Sequence, residues 1–286
     1  MKLGLYEQIL NTVTTNELKN LNLDLFTVGK EALDVEEARK LLAHYISLVT
    51  RRALKLVREQ ASDDQEAVLA QIRICNELIE TMRTSLGQQE LEDFRIDEHG
   101  EILTYVYSKL NHIRGIKDDK ILRPVTPLSQ SSLFTGSHAE PNMLSELQHE
   151  IATSDRIDML VSFIKWSGLR CLMEQLEQFT ESGGHLRVIT TTYMEATDLK
   201  AIQVLSRLKN TEIQISYDSK RTRLHAKAYV FRRDTGFTTA YIGSSNLSNP
   251  ALTSGLEWNL KVTEKDSYDV LQKVFATFES YWNDRE

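Results

Sequence analysis

The segment from Arg221 to Asn259 most constrains the fold, because it has the composition of short β-strands joined by tight turns. Residues 224–231 are rich in apolar, aromatic and β-compatible side chains, and residues 238–242 repeat this composition. Between them, residues 233–236 carry an aspartate and a glycine, as hairpin turns do. The sequence therefore predicts neighbouring strands here, followed by a further strand over residues 256–263.

Polar side chains are concentrated on one side of these strands. Successive side chains of a strand alternate, so His225 and Lys227 are predicted to point the same way. An apolar core disfavours such a pair, so their face should line a cavity or meet another surface. The second strand ends in Gly243-Ser244-Ser245-Asn246, whose small residues let backbone N–H groups approach an anion. Glu257 is predicted to lie close enough to orient the imidazole.

These residue types can cleave a phosphodiester without a metal or other cofactor. A neutral His225 imidazole can attack phosphorus and form a covalent phosphohistidine. Glu257 would fix the tautomer of the ring and raise its basicity. Charge on the non-bridging oxygens, which metals neutralise in other enzymes, would be neutralised here by Lys227, Asn246, Ser244 and Ser245.

One histidine is insufficient, because the leaving oxygen also needs a proton from an acid with a pKa of about 6 to 7. None of the other histidines is followed two residues later by a lysine: His44, His99, His112, His138, His149 and His185. The simplest source of the second histidine is a second copy of the chain. The sequence thus predicts a homodimer with a shared centre.

The segment resembles the HKD motif of the phospholipase D superfamily, His-x-Lys followed by Gly-Ser-x-Asn. As in its single-motif bacterial nucleases, a glutamate follows eleven residues after the asparagine. The resemblance implies that His225 is the nucleophile, Lys227 and Asn246 bind phosphate, Ser244 is the motif serine, and Glu257 orients the histidine.

The sequence departs from this motif at one position. Arg232 stands where the motif has an aspartate, and Asp234 follows two positions later. In the family this aspartate has a largely structural role. The resemblance therefore still implies a catalytic site, although the aspartate is replaced. Asp234 itself is interpreted as a turn residue.

A closer resemblance covers more of the chain. It is carried by residues 129–136, 158–170, 188–198 and 216–227, which resemble the phospholipase D-like domain at the N-terminus of bacterial superfamily 2 helicases of DNA restriction and defence. Such proteins continue into an ATPase, but this chain has no Gly-x4-Gly-Lys-Ser/Thr loop. The resemblance implies DNA as a partner, and either an excised nuclease domain or a stand-alone relative of such a helicase.

Basic residues cluster around the histidine. Arg221, Arg223 and Arg233 are candidates to contact the DNA backbone. The same residues, with Lys220 and Arg232, could instead form a solvated strand edge. Trp166 and Trp258 are interpreted as core or interface residues.

Composition limits the remaining possibilities. The chain has 286 residues, enough for two domains, and its 41% hydrophobic content is that of a soluble globular protein. It lacks a membrane-spanning apolar stretch, and its first residues do not form a signal peptide. Cys75 and Cys171 do not suggest a disulfide framework, so a bacterial cytoplasm is expected. With a net charge of −7, DNA contact should be local to the site.

Two domains joined by a linker are predicted. Residues 35–60 and 65–85 have the periodicity of amphipathic helices, within a helical N-terminal domain over residues 1–115. A linker over 116–141 contains three of the four prolines. Residues 142–286 alternate between helical and strand patterns, which indicates an α/β fold with helices on both faces of a sheet.

The sequence therefore predicts a metal-independent phosphodiesterase, with DNA as its substrate and a homodimer as its active form. Two alternatives stay open. The chain could be a DNA-binding module that positions a helicase and cleaves poorly, or a lipid phosphodiesterase, which the missing signal peptide disfavours.

Overall fold

The computed structural model describes residues 1–107, 116–117, 120–137, 139–217 and 224–284. The chain divides into two compact units, Met1–Val106 and Tyr107–Glu286. No helix in these described ranges is long and apolar enough to cross a membrane.

The first unit is helical, as predicted. It contains α1 (Thr12–Lys19), α2 (Val35–Gln60) and α3 (Asp64–Leu86), then a 3-10 turn over Gln89–Phe94. Asp34 caps α2, since its carboxylate accepts the Glu36 N–H at 2.8 Å. Gly87 ends α3 with φ at +64°, a left-handed conformation that favours glycine. The predicted boundary of this domain, residue 115, lies outside the described residues.

The predicted linker is partly incorporated into the second unit. Residues Ile116–Lys117 (β1) and Lys120–Ile121 (β2) form an antiparallel pair, and Ser132–Phe134 (β3) joins the main sheet. The buried Glu146 carboxylate accepts the Val125 N–H at 2.7 Å, so the stretch before β3 is also held. Residues of the predicted linker thus form β1, β2 and β3, and the domain bounds on either side of it stay a prediction.

The second unit contains one seven-stranded mixed sheet. In chain order its elements after β3 are α4 (Met143–Ala152), β4 (Arg156–Val161), α5 (Trp166–Leu169), α6 (Met173–Glu181), β5 (His185–Thr191), a 3-10 turn (Tyr193–Glu195), α7 (Leu199–Leu205), β6 (Thr211–Ser216), β7 (Lys227–Arg232), β8 (Thr239–Gly243), α8 (Asn249–Thr253), β9 (Asn259–Thr263) and α9 (Tyr268–Asn283). The strand order is β3-β9-β8-β7-β4-β5-β6. Strands β4, β5 and β6 are parallel, whereas β7, β8, β9 and β3 pair antiparallel.

Helices cover both faces of this sheet, which confirms the predicted fold class. Tyr229 and Phe231 of β7 face the larger core, which is completed by apolar residues of α4, α5, α6, α7 and α8. The alternate residue Val230 faces α9, where it packs with Leu271. Each central strand is therefore buried on both faces, as its near-continuous apolar sequence requires.

Candidate active site

The predicted site residues converge at one end of the sheet because of its strand directions. Val161, the last residue of β4, pairs with Lys227, the first residue of the antiparallel β7. Gly243, at the end of β8, pairs with Asn259, at the start of β9. The segments that precede β7 and β9 and follow β4 and β8 therefore meet at this end.

His225 and Lys227 are in direct contact there. His225 is exposed, whereas Lys227 is buried, and its Nζ lies 3.0 Å from His225 Nδ1. The same ammonium donates to the His225 carbonyl oxygen at 2.7 Å. Burial lowers the pKa of Lys227, although the nearby Glu257 carboxylate opposes this shift. A partly desolvated cation beside an accessible imidazole can attract and hold an anion.

Asn246 presents its amide at the same end of the sheet. Its Oδ1 accepts the Phe163 N–H at 3.2 Å, which fixes the orientation of a side chain that is 8% exposed. Its Nδ2 has no acceptor in the described part of the chain, so this N–H₂ group is available to a ligand. Phe163, which contributes through its backbone, has no side-chain signal that sequence reasoning could have detected.

Hydrogen bonds of Ser244 and Glu257 connect the end of β8 with the start of β9. The Ser244 hydroxyl donates to the Glu257 carboxylate and accepts the Trp258 N–H at 3.1 Å, and the Ser244 N–H donates to the Trp258 oxygen at 3.0 Å. Gly243 permits this close pairing, because a Cβ there would lie 2.1 Å from the Trp258 oxygen. The strand pairing thus explains the glycine of the motif.

Glu257 and His225, which are both described, form no hydrogen bond with each other, although Glu257 was expected to orient the imidazole. Ser244 takes up the Glu257 carboxylate, and the Lys227 ammonium occupies His225 Nδ1. Glu257 acts on the site through its charge, since it favours the protonated form of Lys227. Its role in orienting the imidazole stays a prediction.

Ser245 and Arg233 were predicted to contact the substrate, but the side chains of both are buried. Ser245 is fully buried, and its hydroxyl accepts the Asn259 amide at 2.8 Å, so this side chain connects the strands. Arg233 is 8% exposed and pairs with the buried Glu150 at 2.6 Å, so its guanidinium is inside the core and cannot meet a phosphate backbone. Arg221 and Arg223 lie outside the described residues.

The residue at the position of the motif aspartate is also structural. Arg232 pairs with Asp158 at 2.7 Å, and Arg187 binds the other oxygen of the same carboxylate at 2.7 Å. Both arginines also contact Glu279 of α9. Arg232 is therefore neither a solvated edge residue nor a phosphate contact, and it helps to hold α9 on the sheet. Asp234 lies in the turn between β7 and β8, as predicted.

The two tryptophans have different environments. Trp166 is partly buried against the larger core, and the Lys200 ammonium lies 4.2 Å from its ring centroid. Trp258, adjacent to Glu257, is 63% exposed. Trp258 is therefore the one of the two that remains available for an interface.

The arrangement defines the class of the domain: an α/β fold with a histidine, a lysine and an asparagine amide gathered at one end of its sheet. Residues 147–282 match the family model described as "Cardiolipin synthase, PLD-like domain". This part of the chain is therefore similar to a phospholipase D-like domain. A comparison with curated proteins gave no match.

Several solved structures are similar to this chain. NucT from Helicobacter pylori is 18% identical, with a TM-score of 0.42, over 53% of this chain and 94% of that one. Nuc from Salmonella typhimurium, described as a phospholipase D family member, is 18% identical with a TM-score of 0.40, over 54% and 95%. A phosphatidylserine synthase from Haemophilus influenzae is 12% identical with a TM-score of 0.37, over 50% and 36%.

Proposed function

We propose that the second unit is a metal-independent nuclease that cleaves DNA through a phosphohistidine, at a centre shared by two copies of the chain. The observation that carries this proposal is the contact between the exposed His225 imidazole and the ammonium of the buried Lys227, at 3.0 Å, with the Asn246 amide at the same end of the sheet. A nucleophile and two donors for a phosphate are thus held at one end of the sheet.

The proposed reaction has two steps. In the first, a ring nitrogen of His225 forms a bond to phosphorus, the bond to the leaving oxygen breaks, and the second copy's protonated His225 gives that oxygen its proton. In the second, the same imidazole of the second copy removes a proton from water, which attacks phosphorus and releases His225. Lys227 and Asn246 stabilise the charge on the non-bridging oxygens in both steps.

DNA is preferred to lipid as the substrate because of the resemblance of residues 129–136, 158–170, 188–198 and 216–227 to helicase-associated domains. The same resemblance supports an ATPase as a partner, either fused or separate. A cytoplasmic location is part of this proposal. The competing function is a DNA-positioning module that binds but cleaves poorly.

Cleavage in the presence of a chelator tests this function. We expect the protein to cut single- or double-stranded DNA at an unchanged rate in excess EDTA, because protein groups supply the charge stabilisation that metals supply elsewhere. Product formation can be followed on gels, with a magnesium-dependent nuclease as the positive control for chelation.

Loss of cleavage in EDTA that is restored by magnesium or manganese would refute the mechanism. DNA binding without cleavage in either condition would favour the positioning module, and cleavage of phosphatidyl lipids but not DNA would favour the lipid enzyme.

An exposed apolar surface beside the site supports the shared centre. Leu133, Leu260 and Ile242 lie in register across β3, β9 and β8, and Leu133 and Leu260 are 47% and 45% exposed. Trp258 and Leu256 extend the surface to Glu257 and are 63% and 84% exposed. A two-fold axis through the site would bring this surface against its own copy. We call these five residues the β9 surface.

Charge on the β9 surface should dissociate the dimer. We expect wild-type protein to sediment at about twice its chain mass and Trp258→Lys to sediment at one chain mass, because burying an unpaired charge costs several kcal/mol per copy. The control is Val270→Lys, since Val270 is 50% exposed on α9 and lies outside this surface. A Trp258→Lys protein that stays dimeric would exclude the β9 surface. A monomeric wild type with full specific activity at high dilution would exclude the shared centre.

A further inference from the structure

Asp198 precedes α7, but its carboxylate forms its hydrogen bonds with the segment that follows β4. It occupies the N-cap position of α7, yet its carboxylate does not cap its own helix. Instead, Oδ2 accepts the Trp166 N–H at 2.8 Å, and Oδ1 lies 3.2 Å from the Lys165 ammonium. The Asp198 N–H donates to the Ile164 carbonyl at 2.8 Å. One residue thus holds three consecutive residues that follow β4.

The segment that Asp198 holds is the one that positions Asn246. The Lys165 N–H donates to the Leu247 carbonyl at 2.8 Å, and Ile164 and Leu247 form a parallel bridge. Phe163, one residue earlier, donates its N–H to Asn246 Oδ1 at 3.2 Å. Separate hydrogen bonds of residues 163–166, joined by the backbone of this segment, therefore connect the Asp198 carboxylate with the Asn246 amide.

Close packing also connects α5, which follows residues 163–165, with the backbone that follows Asn246. A Cβ on Gly168, in α5, would lie 2.5 Å from the Ser248 backbone, so the helix after the segment contacts the loop after Asn246 directly. The Trp166 N–H, the strongest influence, and Lys165 lower the pKa of Asp198, so the carboxylate is charged at neutral pH and forms charge-assisted hydrogen bonds.

We propose that Asp198 is a positioning residue, which orients the Asn246 amide toward the substrate phosphate through residues 163–166 and Leu247. The inference rests on the proposed function, because it takes the Asn246 amide to be a phosphate ligand. Asp198 itself lies one step removed from the reacting atoms and acts only through this segment.

A double-mutant cycle tests this path. Asn246→Ala removes one donor to the developing charge and is expected to lower kcat by about 10²- to 10³-fold. Asp198→Ala is expected to lower kcat about tenfold or more, and Asp198→Asn, which keeps an oxygen acceptor for the Trp166 N–H, should recover most of that loss. The double variant Asp198→Ala/Asn246→Ala should be no slower than Asn246→Ala alone. Multiplied effects in the double variant, or a wild-type kcat in Asp198→Ala, would overturn the proposal.

The matched control is Asp155→Ala. Asp155 precedes the opposite end of β4, and its carboxylate accepts the Asp234 N–H at 2.9 Å, so it anchors a loop away from the site. This variant should keep the wild-type kcat. Combined with Asn246→Ala, it should leave the kcat of that single variant unchanged. Thermal melts of all variants show whether the fold is retained.

A second measurement separates failure of this inference from failure of the proposed function. The side-chain amide signal of Asn246 in a ¹⁵N-labelled protein can be assigned by its loss in Asn246→Ala. We expect this signal to shift or broaden in Asp198→Ala but not in Asp155→Ala or Asp198→Asn. If DNA is not cleaved, this result alone decides whether Asp198 positions the amide, and an unchanged signal in Asp198→Ala would refute the inference.

Discussion

Replacing His225 with alanine is expected to lower the rate of DNA cleavage by about 10⁴-fold or more, because the variant lacks both the nucleophile and the proton donor of a shared centre. The side chain is exposed, and its ring is hydrogen-bonded to Lys227, so the fold should be unaffected. Initial rates with saturating DNA measure the effect, and circular dichroism confirms the fold.

His185→Ala provides the matched control. His185 lies at the start of β5, at the opposite end of the sheet, where its Nε2 is 2.8 Å from Glu212. This variant should cleave at the wild-type rate. Cleavage by His225→Ala at that rate would show that the site has been assigned to the wrong residues.

Mixing His225→Ala with wild-type chains also tests whether the centre is shared. If each centre needs His225 from both copies, only wild-type dimers are active, and activity should fall with the square of the wild-type fraction. A linear fall would show that each chain cleaves with its own residues. The mixtures must be equilibrated long enough for chains to exchange.

Lys261→Met is expected to lower the free energy of unfolding by about 3 to 5 kcal/mol, because it removes the cation beside the buried Glu146 and leaves the buried Glu150 with Arg233 alone. Lys261, Glu146 and Glu150 are all fully buried. The ammonium lies 3.1 Å from Glu150 and 4.0 Å from Glu146. Urea unfolding at neutral pH measures the loss, and Lys273→Met, an exposed lysine of α9, is the control.

The cost of Lys261→Met should depend on pH. Burial alone would raise the pKa of Glu150, but Arg233 and Lys261 outweigh it and hold this pKa below its ordinary value. The charged carboxylate therefore contributes stability above its unfolded-state pKa, and this contribution is lost as the pH falls through the folded-state pKa. Without Lys261 the carboxyl protonates more readily, so the difference between variant and wild type should narrow in acid. A loss below about 1 kcal/mol, or one that is constant with pH, would show that the pair is not strongly coupled.

Local pattern was sufficient to predict the two long helices of the first unit and the strands of the motif. The helix over residues 35–60 has the predicted bounds, and α3 extends only one residue beyond the predicted 65–85 at each end. The strands of the motif begin or end within three residues of their predicted positions. Hydrophobic periodicity and turn residues are properties of neighbouring positions, so they can be read along the chain. The spacing of His225, Lys227 and Asn246 likewise predicted that these residues belong to one site.

Tertiary structure alone decided which polar side chains are available to a substrate. Arg233 and Ser245 have the residue types of phosphate ligands, but Glu150 and Asn259, distant in sequence, bind them inside the protein. The sequence alone did not show that Ser244 binds the Glu257 carboxylate. It also did not show the hydrogen bonds that connect Asp198 with Asn246 through residues 163–166. A buried polar group must find a partner wherever the fold brings one. The sequence thus determined the strands and the chemical groups of this site, and only the packing of distant segments determined which of those groups face the solvent.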